Sequence, residues 1–491
     1  MTEKRNNFGS KLGVVFAAAG SAVGLGNVWR FPTEVGNNGG AAFILVYLLC
    51  VVLVGMPVMI SEFIIGRHTH ANTVSAFSKL APGTWWRIGG VEGVFVAFLI
   101  FSYYIIISGW TLYYMVESLM GHLQAERNYG EFFTTFVSHP WKPILCAAVF
   151  MAVTHMVIVR GVRSGIERFS KVMMPMLLLI IGILVVCSFG MPGSSQGLTF
   201  LLRPDFSKIT GDVVLSAMGQ AFFSLSLAMG CLCTYASYFS PDTNLVKTAF
   251  SVCSIDTFVA VLSGFIIFPA VFSVEGATVD AGPGLVFQTL PNVFNIAFHS
   301  VPVVGYVFSG LFYMLLLLAA LTSAMSLHEP VTAYLLEVTG ISRRAAATWV
   351  SCTCVALSCL CALSFGLLSD CRLFGMTVFD LFDFVSSKFI LPFGGIIICL
   401  FVGWKLDRRL VESELTNGGG GNCASACCVP TSSWCATWCQ WPLCLSSFTN
   451  CWANETPTVP FACRPSCTAP AGVGAGAGGA GLLRIFMDSG G

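Results

Sequence analysis

The chain has 491 residues, of which 55% are hydrophobic and only 10% charged. Soluble domains average about 25% charged residues, so this composition excludes an ordinary soluble protein and points to a chain that crosses a membrane many times. A net charge of +1 gives no electrostatic basis for a nucleic-acid partner.

The first eleven residues, MTEKRNNFGSK, are polar and read as a cytoplasmic N-terminal segment (1–11) rather than a cleavable signal. Apolar stretches near the length of a bilayer crossing then predict about ten transmembrane helices, at 12–37, 41–66, 91–120, 143–160, 172–191, 213–239, 248–273, 304–338, 345–366 and 377–404. Most basic residues, among them Arg67, Lys79, Arg87, Arg160, Arg163, Lys247, Arg343 and Lys405, fall on one side of this arrangement. The positive-inside rule makes that side cytoplasmic, with loops 121–142, 192–212 and 274–303 facing out.

Ten spans divide into five and five, repeat one at 12–191 and repeat two at 213–404. An odd number per half inverts the second half relative to the first. The first span of each half is interrupted: Ala22–Asn27 in one, Ser224–Gly230 in the other. Paired interruptions at equivalent places in two halves point to a transporter binding site. A short cytoplasmic segment, 405–417, follows the core. Residues 418–491 are a Cys/Gly/Ala-rich tail holding nine of the 21 cysteines, and read as a disordered or non-native segment. The twelve earlier cysteines sit mostly in apolar segments and read as small buried hydrophobes.

Several long motifs then carry a family resemblance. GSAVGLGNVWRFP (20–32), NNGGAAFILVYLL (37–49), GMPVMISEFIIGR (55–67), GQAFFSLSLAMG (219–230), YASY and LTSAMSLHEP closely resemble the neurotransmitter:sodium symporter family, in its bacterial amino-acid transporter type. The resemblance spans about residues 5–415. It implies an all-α, inverted-repeat fold of five plus five helices with helices 1 and 6 broken. It also implies sodium-coupled uptake of an amino acid or amine across a plasma membrane, here a bacterial inner membrane. Family members have eleven or twelve helices, against ten read here. Nothing covalent is involved, so no enzyme is expected. No oligomeric state follows.

A broken helix exposes carbonyls and amides that must find partners. At mid-membrane these can be a hard cation and a carboxylate. The resemblance implies two sodium ions and no organic cofactor. The first would be held by the Ala22 carbonyl, Asn27, Ser224 and Asp256, completed by the substrate carboxylate. The second would be held by carbonyls of Gly20, Val23 and Ala319 with the hydroxyls of Thr322 and Ser323. Asp256 stands where the family often has asparagine, and its charge would replace the chloride of animal relatives. Tyr104, with the amides of Leu25 and Gly26, would meet the substrate carboxylate. Carbonyls near Phe223, Ser224 and Ser226 would meet its amino group, and Ser21, Ala22, Ile100, Phe223, Met229 and Leu327 would wall the side chain. Amine transporters of the family carry aspartate at position 24, whereas Gly24 here implies a substrate with its own carboxylate. The apolar walls favour a hydrophobic or aromatic amino acid.

Arg30 and Asp383 resemble the outer gate, with Gln220 beside Arg30, and Arg5 with Glu337 the inner one. Glu62 resembles the buried glutamate that caps amides of the unwound part of helix 6. A sodium- or ligand-gated channel or amino-acid sensor on the same scaffold is the alternative.

Overall fold

The computed structural model describes residues 8–124, 128–274 and 284–417. Arg5 and the tail at 418–491 lie outside the described residues. Eight helices among them are long and apolar enough to cross a membrane, or nine when the bent pair at the N-terminus counts as one span.

The chain enters through α1 (Lys11–Ala22) and, after a 51° bend, α2 (Gly26–Asn37). It continues through α3 (Ala41–Thr69), α4 (Thr73–Leu80), α5 (Arg87–Leu119), α6 (Tyr129–Val137), α7 (Lys142–Val159) and α8 (Val162–Ser188). The second half runs α9 (Ser194–Leu202), α10 (Gly211–Ser224), α11 (Cys231–Ala236), α12 (Leu245–Val271), α13 (Leu290–Ala297), α14 (Pro302–Thr339), α15 (Arg343–Leu363) and α16 (Val378–Lys405). A final short helix, α17 (Arg408–Leu415), lies in the 405–417 segment. The predicted span 213–239 is the pair α10 and α11. Neither piece alone is long enough to count as a crossing, which is why eight or nine helices stand against ten predicted spans.

Sequence chemistry sets many of these boundaries. Ser10, Asn72, Asn128, Thr210, Asn244, Ser342 and Thr377 each cap a helix N-terminus by accepting a backbone amide proton. Gly340 closes α14 in the left-handed region. One boundary differs from expectation. Span 172–191 begins ten residues early, as α8 from Val162. Its first turns are charged, so hydropathy hides them. Glu167 holds them in place: it accepts from the Gly9 amide at 2.7 Å and from Lys171, one turn away, at 2.6 Å. The loops expected outside also hold α6, α9 and α13, which are too short or too polar to register as spans.

α1, α5, α10, α12 and α14 converge in the interior, where Asn27, Asp256, Ser224 and Thr322 are buried. α3 approaches α11 so closely that a Cβ on Gly66 would lie 2.0 Å from the Cys233 carbonyl oxygen. Only glycine permits that contact.

Candidate functional site

The bend between α1 and α2 leaves Val23 and Gly24 outside regular helix. The gap between α10 and α11 does the same for 225–230, where Ser226 (φ 53°), Ala228 (φ 58°) and Gly230 (φ 66°) are left-handed. Non-glycine residues rarely adopt that conformation, and such strain persists only where the surroundings fix it. Glu62 of α3 does the fixing: its two carboxylate oxygens accept from the Ala228 amide at 2.7 Å and the Cys233 amide at 3.3 Å. The two gaps face each other, joined by a Ser226 hydroxyl that donates to the Ser21 carbonyl at 2.8 Å.

Between them lies a cavity of about 20 Å³, roughly the space of one water. The first break contributes Ser21, Ala22, Gly24, Leu25 and Gly26 to its wall; α5 contributes Ile100 and Tyr104. Phe223, Ser226 and Met229 come from the second break, and Ser323 and Leu327 from α14. Of the residues expected around the substrate, Ser224 alone is not in this wall. Ser323 is in it, although it was expected only beside sodium. The Leu25 amide and the Tyr104 hydroxyl are 3.4 Å apart. So small a space admits an amino acid only when the walls part.

Two oxygen clusters flank the cavity. In the first, Asn27 donates from Nδ2 to Asp256 Oδ1 at 2.7 Å and to Ser224 Oγ at 3.2 Å, and its Oδ1 accepts from the Gly24 amide at 2.9 Å. Ser224 donates to Asp256 Oδ2 at 2.8 Å. Ala22 is close by, in the cavity wall. Tyr47 adds an unforeseen contact, donating to Asp256 Oδ2 at 3.3 Å. Ser263 is equally unforeseen and donates to the Asn27 carbonyl at 2.6 Å.

The second cluster joins α1 to α14. Thr322 donates to the carbonyls of Ala319 (3.0 Å) and Val23 (3.3 Å), and Ser323 donates to those of Val23 (3.2 Å) and Ser21 (3.3 Å). Gly20 faces the same place, since a Cβ on it would lie 3.4 Å from Thr322 Cβ. Both clusters are made of oxygen donors: one carboxylate with an amide and a hydroxyl in the first, neutral carbonyls and hydroxyls in the second. Such sets suit a hard cation. Among the described residues no group of three His, Cys, Asp or Glu could hold a metal of another kind.

The sodium:neurotransmitter symporter family model matches residues 5–135 and 131–425, most of the chain. The chain belongs to the sodium:neurotransmitter symporter family. It is therefore a multi-pass membrane protein in a family of sodium-dependent transporters and not an enzyme. It is 40% identical over 420 residues to the uncharacterized sodium-dependent transporter YhdH of Bacillus subtilis, covering 85% of this chain and 91% of the relative. Over 464 residues it is 26% identical to the sodium- and chloride-dependent GABA transporter 2 of Mus musculus, covering 82% and 73%. The crystal structure of MhsT in complex with L-phenylalanine superposes with a TM-score of 0.81 at 39% identity, covering 91% of this chain and 98% of MhsT.

The residues expected to gate this symporter are only partly brought together. Arg30 does not reach Asp383. Its guanidinium lies over the Phe223 ring, 4.4 Å from the centroid. Asp383 instead accepts from the Tyr103 hydroxyl at 3.1 Å. Each charge thus has a competing neighbour, an aromatic face for one and a phenol for the other. Gln220 is held one turn from Arg30 by donating to the Gly26 carbonyl at 3.2 Å. On the other side Glu337 accepts from the Asn72 amide (3.0 Å) and side chain (2.6 Å).

Proposed function

We propose that this chain is a sodium-coupled symporter that imports a hydrophobic or aromatic amino acid by alternating access, with two sodium ions and without a chloride requirement. The observation that carries this reading is the pairing of two broken helices with two oxygen clusters around one apolar-walled cavity. Gly24 supports an amino acid rather than an amine, because it leaves room for a substrate carboxylate next to the Leu25 amide and Tyr104. The fold likeness to a transporter solved with L-phenylalanine supports the aromatic class.

In this reading Ala22, Asn27, Ser224 and Asp256 hold the first sodium, and the substrate carboxylate completes its shell. Gly20, Val23, Ala319, Thr322 and Ser323 hold the second. Sodium and substrate then raise each other's affinity by the same factor. The ionised Asp256 supplies the negative charge that a chloride-dependent relative takes from solution. Occupancy favours outer closure, and the core helices rock against the rest of the fold. The N-terminus and segment 405–417 face the cytoplasm of a bacterial plasma membrane. Arg30 with Asp383 and Arg5 with Glu337 act as outer and inner latches that form at different points in the cycle.

Uptake of radiolabelled phenylalanine into proteoliposomes tests this, with each of the twenty amino acids as competitor, with and without sodium, and with chloride replaced by gluconate. Sodium-dependent accumulation displaced by apolar amino acids and indifferent to gluconate is expected. Lack of competition by any amino acid, or passive equilibration without accumulation, would sink the proposal.

A further inference from the structure

We infer that the apolar groove between α5, α14 and α15 is a binding site for one acyl chain of an anionic phospholipid. This groove encloses about 630 Å³ and shares no wall residue with the substrate cavity. Its walls include Val94, Phe95 and Phe98 of α5, Tyr334 of α14, and Trp349 and Val350 of α15. Phe95 and Trp349 are exposed at its mouth, so in a membrane the mouth opens towards lipid.

Depth identifies the occupant. α5 begins at Arg87, α14 ends at Thr339 and α15 begins at Arg343, so all three walls start at the same membrane surface. Trp85 stacks on Trp86 at 4.1 Å and is exposed beside Arg87, as interfacial aromatic residues are. From Arg87 to Phe98 is roughly 16 Å at 1.5 Å per residue. From Arg344 to Thr353, another wall residue, is roughly 14 Å. Both are about half of a hydrocarbon core of roughly 30 Å. The groove therefore runs from headgroup level to mid-membrane, the depth of one leaflet.

Charge identifies the headgroup. The side chains of Arg87 and Arg344 are exposed and make no ion pair or hydrogen bond among the described residues. Neighbouring Arg343, by contrast, is committed to Glu329. Two free guanidinium groups at the helix starts, on the membrane surface where the slot's walls begin, suit a phosphate above an acyl chain.

The test is native mass spectrometry of the full chain released from nanodiscs holding equal phosphatidylglycerol and phosphatidylcholine. One phosphatidylglycerol retained in preference to phosphatidylcholine is expected. Val94→Trp fills the groove and should abolish that adduct. Arg87→Gln with Arg344→Gln touches only exposed side chains, so folding is undisturbed, and should lower the preference by about fivefold per arginine. The inference is overturned if the parent retains neither lipid or both equally. It is also overturned if Val94→Trp folds and keeps the adduct, if the double variant keeps the full preference, or if Val94→Trp only changes the oligomeric state.

Discussion

Gly24→Ala is the most informative single change. A Cβ there would lie 2.2 Å from Ser323 Oγ, 3.1 Å from Ser323 Cβ and 3.3 Å from the Tyr104 hydroxyl oxygen. The first distance is impossible without movement. The cheapest relief is rotation of Ser323, which breaks its bonds to the Val23 and Ser21 carbonyls. Overpacking of this kind costs about 1–3 kcal/mol. At about 1.4 kcal/mol per factor of ten, that is roughly 5- to 150-fold in affinity. Because Ser323 belongs to the proposed second sodium site, the loss should appear in the sodium titration of phenylalanine binding. A double-mutant cycle isolates the cause. In a Ser323→Ala background the Oγ is gone, so Gly24→Ala should cost markedly less than it does alone. Full additivity of the two changes, or wild-type sodium affinity in Gly24→Ala, would refute the steric reasoning.

Other changes test the remaining clusters. Asp256→Asn keeps the shape of the first cluster but removes its charge; sodium affinity should fall at least about tenfold in the same binding assay. Glu62→Gln retains only one good acceptor for the two amides of Ala228 and Cys233, so the detergent-solubilised protein should lose about 1–3 kcal/mol in thermal unfolding. Tyr103→Phe frees Asp383 to meet Arg30. If the outer latch is real, bound phenylalanine should then dissociate about two- to tenfold more slowly, the equivalent of one hydrogen bond.

Hydropathy made the spans legible because a bilayer demands long apolar runs, and the two breaks were legible because glycine, asparagine and serine are costly inside such runs. The start of α8 was not legible: Glu167, Arg168 and Lys171 read as loop, and only the Gly9 amide and Ser10 packed against Glu167 explain a helix there. Tyr47 gave no signal either, as one more aromatic residue in FILVYLL. Its role depends on where α12 sets Asp256. The contacts of Arg30 and Asp383 were hidden for the same reason. Opposite charges suggest a pair, but the competing Phe223 ring and Tyr103 hydroxyl exist only once the helices are packed.

The two breaks are closed by different chemistry, which bears on how sodium would act. At the second, one carboxylate takes two amides, and bonds to a charged group are about twice as strong as neutral ones. At the first, the partners are neutral: Tyr104 and Asn27 take amides, while Thr322, Ser323, Ser226, Ser263 and Gln220 donate to carbonyls. Each such bond is worth only about 0.5–1.5 kcal/mol net. The first break is therefore exchangeable and the second braced. In the proposed cycle a sodium ion entering beside Val23 replaces the hydroxyl protons of Thr322 and Ser323 at that carbonyl. The hydroxyls rotate, and the same oxygens become ligands. Sodium thus has an existing set of donors to displace rather than a naked backbone to satisfy. Binding there can tie α1 to α14 without disturbing the segment that Glu62 holds.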